Sequence, residues 1–128
     1  MKAMFKLSVL ILAMIGSSVQ AENMYENIYN KCTKKAGAMN NSVVQMCSEE
    51  ATQKAKTDIN KFYKAAYEKL SKSNVEDAKK LEEAQKSWVA YRNSHCNLAG
   101  SYVGSPMYAY CPMQLNSARA LELKELSE

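Results

Sequence analysis

Hydrophobic and polar positions along this chain repeat at helical spacing. In the middle of the chain Cys47, Ala51, Ala55, Asp58 or Ile59, Phe62, Ala66 and Leu70 recur at steps of three and four, the period of one face of an α-helix. A second stripe runs through Ala78, Leu81, Ala84 or Gln85, Trp88, Tyr91 or Arg92 and His95, and a shorter one through Met24, Ile28 and Cys32. Neither glycine nor proline occurs between Gly37 and Gly100, a stretch rich in Ala, Lys, Glu, Gln and Leu. Such a stretch favours helix throughout. Ser71-Lys72-Ser73-Asn74 is its one candidate break. Ser73 with Glu76, and Ser42 with Gln45, have the spacing of capping boxes that start helices. Pro112 suits the first turn of a last helix, where its missing N–H costs nothing. The pattern predicts helices over about 23–36, 42–71, 75–99 and 112–126. Their apolar stripes must cover one another, so the fold class is all-α, a small antiparallel bundle of about four helices.

The first residues have a different pattern. Lys2 and Lys6 precede a largely apolar run over 7–15, followed by Gly16-Ser17-Ser18-Val19-Gln20-Ala21. Charge, short apolar core and small-residue exit are the order of a cleavable secretory signal peptide. As a helix that run rises about 14 Å, well short of a bilayer core of roughly 30 Å. The expected organisation is therefore a signal peptide over 1–21 and one helical domain over 22–128. Loss of Lys2 and Lys6 lowers the formal charge of the 128-residue chain from +4 to +2. Fourteen of the 21 residues lost are hydrophobic, so that segment raises the 47% hydrophobic content of the whole chain. A weakly charged, mixed surface has no electrostatic footprint for nucleic acid. No later apolar stretch reaches membrane-spanning length.

Cysteine usage agrees with export. Cys32, Cys47, Cys96 and Cys111 form an even set, and each close pair is separated by 15 positions. Four cysteines permit three pairings. Each close pair brackets one of the chain reversals, so Cys32–Cys47 and Cys96–Cys111 are the expected staples. Each contributes about 3 kcal/mol in the chain-entropy account. A zinc site would need a different arrangement: there is no C-x-x-C, and His95 is the only histidine. Neither a metal nor another cofactor is expected.

Catalytic signatures are absent. His95 directly precedes Cys96, but neighbours on a helix point about 100° apart and do not form a dyad. The pairs Glu49-Glu50, Glu76-Asp77 and Glu82-Glu83 lie among lysines and read as a solvated face. The polar residues on apolar stripes say more. Gln85, Trp88 and Arg92 share one helix face, while Asp58 and Asn60 sit in the middle of the long second helix. An inward arginine needs partners to offset its desolvation. Asp58, or else Glu50, is the expected partner in a lock between helices. The alternative is a ligand groove with Arg92 as an anion hook. Residues 101–110 join the last two helices and contain Tyr102, Ser105, Tyr108 and Tyr110 beside glycine and proline. Tyrosine supplies wide amphipathic contact at low entropic cost, and closure by Cys96–Cys111 would preorganise the loop. The segment is thus either a partner-binding loop or a cover over one end of the bundle.

Read together, these motifs resemble the lysozyme inhibitor LprI-like N-terminal domain family of bacterial secreted proteins. The resemblance rests on Cys32, Cys47, the run from Asp58-Ile59-Asn60 to Tyr63, and the block Gln85-Lys86-Ser87-Trp88-Val89-Ala90-Tyr91-Arg92-Asn93 followed by Cys96. Cys111 and the last-helix string Ser117-Ala118-Arg119 complete it. Asn93 stands where the family usually has aspartate, and Ser117 where it has threonine. The resemblance implies a non-enzymatic, disulfide-bonded helical protein, periplasmic or secreted, that occludes a lysozyme or another cell-wall hydrolase. In that reading Tyr102, Ser105, Tyr108 and Tyr110 meet the partner, while Asp58, Asn60, Gln85, Trp88, Arg92 and Arg119 form an internal polar scaffold. A structural or chaperone-like helical protein of the envelope is the other reading. Neither one specifies an oligomeric state.

Overall fold

The computed structural model describes residues 23–128; the expected signal peptide lies outside them. Four helices make up the fold: α1 (Met24–Ala36), α2 (Asn41–Ser73), α3 (Val75–Tyr102) and α4 (Met107–Ser127). Among the described residues there is no strand.

Asparagines start three of the turns. Asn23 caps α1, its side-chain oxygen accepting from the Glu26 N–H at 2.9 Å. Asn40 caps α2 by accepting from the Val43 N–H, and Asn74 caps α3 by accepting from the Glu76 N–H. The capping boxes expected at Ser42 and Ser73 do not form. An asparagine caps as well as a serine, so α2 starts before Ser42 and runs on through Ser73. The Ser73 hydroxyl donates instead to the Lys69 carbonyl. Asn74 alone, in extended conformation, separates α2 from α3. Gly37 ends α1 at φ 75°, the left-handed geometry glycine adopts freely, with its N–H on the Thr33 carbonyl.

At the other reversal α3 extends to Tyr102 and α4 begins at Met107, so only residues 103–106 remain between them. Pro112 therefore lies inside α4 and not in its first turn. It has no N–H, so the Tyr108 carbonyl four residues earlier loses its usual helical partner.

Contacts fix the directions. The α2 residues Asn41, Gln45 and Glu49 lie near Ser105–Ala109 residues of the last turn, and the Lys69 ammonium reaches the Leu126 carbonyl. Thus α2 and α4 run parallel and pack directly on each other, while α3 returns alongside them in the opposite sense. Small residues, Ala51, Ala55 and Ala66 on α2 and Ser117 and Ala120 on α4, are buried. They let these helices approach closely. The core joins Tyr25, Ala55, Ile59, Ala66, Leu81, Ala120 and Leu123, with Phe62, Tyr63, Leu70 and Trp88 packed against it.

Both staples form as expected, Cys32–Cys47 and Cys96–Cys111. They join the helices flanking the two reversals, which places both at the same end of the bundle. Two stripes shift from the sequence expectation. Tyr25, not Met24, is the buried residue of α1. The inward face of α3 continues through Arg92, Cys96 and Gly100, while Tyr91 and His95 stack on each other at the surface with ring centroids 5.3 Å apart.

Candidate functional site

The expected single polar lock is two separate networks. One ties α1 to α2. The Tyr25 hydroxyl donates to Asp58 Oδ2 at 2.9 Å, and the Lys54 ammonium donates to Oδ1 at 2.6 Å. Burial acts to raise the Asp58 pKa, but hydrogen bonds from Lys54 and Tyr25 and the positive charges of Lys54 and Lys61 outweigh it, and the net shift is downward. Burial, reinforced by Asp58, pushes the Tyr25 hydroxyl well up and keeps it a donor.

The second network ties α3 to α4 around Trp88. Arg92 lies over the indole with its guanidinium carbon 5.0 Å from the ring centroid, and Arg119 lies at 5.8 Å. Arg119 donates to Gln85 Oε1 at 2.9 Å and pairs with Glu122 at 2.7 Å. Arg92 donates to Asn116 Oδ1 at 2.9 Å and, through two of its nitrogens, to Asn93 Oδ1. Burial lowers the Arg92 pKa from its ordinary value. Asp58 is thus not the partner of Arg92, nor is Glu50, which is exposed beside Cys32 and Met46. Geometry explains the correction: Asp58 faces α1, whereas Arg92 faces α4. Asn60 is exposed and borders the open groove between α2 and α3, outside both networks. Gln85, Trp88, Arg92 and Arg119 do come together.

Arg92 also forms the wall of an open cleft of about 290 Å³ between α2, α3 and α4, with Lys56, Asn93, Asn97, Tyr108 and Asn116 among its lining. Asn116 is fully buried; its oxygen serves Arg92, and its Nδ2 has no hydrogen-bond partner.

The four residues expected to act as one loop divide three ways. Tyr102, at the end of α3, is 85% exposed, followed by Val103 at 77% and the exposed Ser105. Tyr108 folds back: its ring covers Gly100, where any Cβ would overlap it, and its hydroxyl lies 3.0 Å from Ser101 Oγ. Tyr110 is turned toward α1, edge-on to Tyr29 with centroids 5.4 Å apart. Sequence reasoning missed Tyr25 and Asn116. Both sit at helical spacing on buried stripes, Tyr25 with Cys32 and Asn116 with Met113, Ala120 and Leu123, and that periodicity was the available signal.

Among the described residues no group of His, Cys, Asp and Glu could hold a metal ion, and no helix is long and apolar enough to cross a membrane. Fold and site together define a small, disulfide-stapled helical domain with a short exposed turn and a basic, amide-rich cleft. The chain belongs to the family described as lysozyme inhibitor LprI, whose model matches residues 32–123. It is similar to an uncharacterized protein of Rhizobium meliloti (strain 1021), 30% identical over 112 residues, covering 76% of this chain and 78% of that protein. No solved structure matches it.

Proposed function

We propose that the protein is exported to the periplasm or the medium and there inhibits a lysozyme or related peptidoglycan hydrolase by occlusion, without chemistry of its own. The observation that carries this reading is the α3–α4 turn. Two adjacent, highly exposed apolar side chains, Tyr102 at the end of α3 and Val103 in the four-residue reversal after it, project above the Cys96–Cys111 staple. A short turn whose flanking helices are held together by a disulfide has less freedom to lose when it enters a cleft. Tyr102, Val103 and Ser105 make the contact in this reading, and Tyr108 supports the turn from behind. Membership of the inhibitor family supports the partner class. Two disulfides fit an oxidising compartment.

The test is cell-wall lysis, followed by turbidity, with the domain over 22–128 as inhibitor. A central aromatic contact is worth about 2 kcal/mol or more. Tyr102→Ala should therefore raise the inhibitory concentration about thirtyfold without changing the melting temperature. Full inhibition by Tyr102→Ala paired with Val103→Ser would overturn the contact assignment. Absence of inhibition by the unmodified domain against several lysozyme types would overturn the function.

A further inference from the structure

Arg92 is a half-buried cation whose partners among the described residues, Asn93, Asn116 and the Trp88 ring, are all neutral. It donates three N–H groups to asparagine oxygens. Among the described residues no carboxylate lies within ion-pair distance of it, whereas Arg119 has Glu122 at 2.7 Å. A guanidinium carries five N–H donors, so two remain. Lys56, exposed on α2, borders the same cleft and likewise makes no ion pair among the described residues, and no acidic side chain is part of the described lining. Asn116 adds a buried Nδ2 donor without a partner. Its orientation is set by Arg92, because the reversed amide would turn its NH₂ toward the guanidinium. Buried donors are nearly always paired in folded proteins. Two positive charges and the spare guanidinium donors, with no counter-charge in the described lining, thus border a cleft of about 290 Å³ with the unpartnered Asn116 amide buried in its wall, near the small end of ligand sites.

We propose that this cleft binds a small ligand through its carboxylate, the two free N–H groups of Arg92 meeting the two oxygens while Lys56 adds charge and the side chains of Asn93 and Asn97 meet neighbouring polar groups. Paired N–H donors match a carboxylate's geometry. The volume admits a sugar acid or a dipeptide end. The ligand contacts assigned here, Arg92, Lys56, Asn93 and Asn97, are distinct from the Tyr102, Val103 and Ser105 contacts of the exposed turn, so the two proposals are tested separately, although Tyr108 borders both.

Amide NMR of the domain over 22–128 tests it with two probes and their carboxylate-free counterparts. N-acetylmuramic acid is compared with N-acetylglucosamine, and acetyl-D-alanyl-D-alanine with its C-terminal amide. Saturable shifts at Asn93, Asn97 and Asn116 with at least one acid, absent with its neutral counterpart and weakened by salt, are expected. The two arms then tell an acidic sugar from a peptide terminus. Arg92→Gln should weaken binding at least about tenfold. Lys56→Gln, at an exposed position that leaves the fold intact, should weaken it about two- to fivefold. No saturable shift with either acid at millimolar concentration overturns the proposal. So does equal binding of the neutral counterparts, or a Lys56→Gln domain that binds as tightly as the original.

Discussion

Replacing Tyr25 by phenylalanine isolates one hydrogen bond at the joint between α1 and the rest of the bundle. Tyr25 is the fully buried side chain of α1, and its hydroxyl supplies one of two hydrogen bonds to the buried Asp58 carboxylate. Phenylalanine keeps the ring and its packing but leaves Oδ2 without that donor. A hydrogen bond to a charged group contributes about 1.5–3 kcal/mol. For a domain of this size each kcal/mol shifts the melting temperature by about 4–8 °C, so Tyr25→Phe should melt roughly 10 °C lower. The effect carries a pH signature. The Asp58 pKa is depressed in the fold, so the unfolded chain takes up the proton first. The stabilisation is complete above the unfolded value of about 3.9 and is lost as pH falls through the lower native value. Thermal unfolding of both proteins, followed by circular dichroism with disulfides intact, should show the widest gap at neutral pH and a shrinking gap in acid. Coincident melting at neutral pH would refute the bond's contribution. A gap that stays constant into strong acid would refute the role of the carboxylate charge.

Other changes probe the opposite face. Gly100→Ala drives a methyl into the Tyr108 ring and should cost about 1–3 kcal/mol, measured by urea unfolding. Trp88 is the only tryptophan, so its fluorescence reports the α3–α4 joint. Arg92→Ala and Arg119→Ala should each shift its emission and destabilise by about 1–2 kcal/mol, and a double-mutant cycle should show coupling through the shared ring. Replacing Cys96 and Cys111 together by serine should cost about 3 kcal/mol, read as a lower denaturation midpoint.

The helices and staples were legible because their signals are local. Alternation at three and four residues, the missing breakers between Gly37 and Gly100, and equal cysteine spacing all lie within single segments. Boundaries were less legible. Ser73 and Asn74 are adjacent competent caps, and only the completed helix shows that Asn74 takes the role. The ten-residue connection contracted to four because 107–111 prefer to extend α4 even with Pro112 inside it. Proline removes one hydrogen bond, but the disulfide at Cys111 and the Tyr108 ring on Gly100 hold that turn in place.

By itself the sequence determined the class of structure: helical periods, amphipathic faces and cysteines spaced to close two reversals. Those are short-range properties, written in neighbouring residues. Tertiary structure decided the partners. A charge on a helix face states that it needs a counterpart, but several candidates lie within reach of the chain, and relative helix rotation selects among them. That rotation gave Asp58 to Tyr25 and Arg92 to Asn116, beside the local partners Lys54 and Asn93 on their own helices. It left the half-buried Arg92 without an acid among the described residues, beside the cleft to which we assign an outside carboxylate.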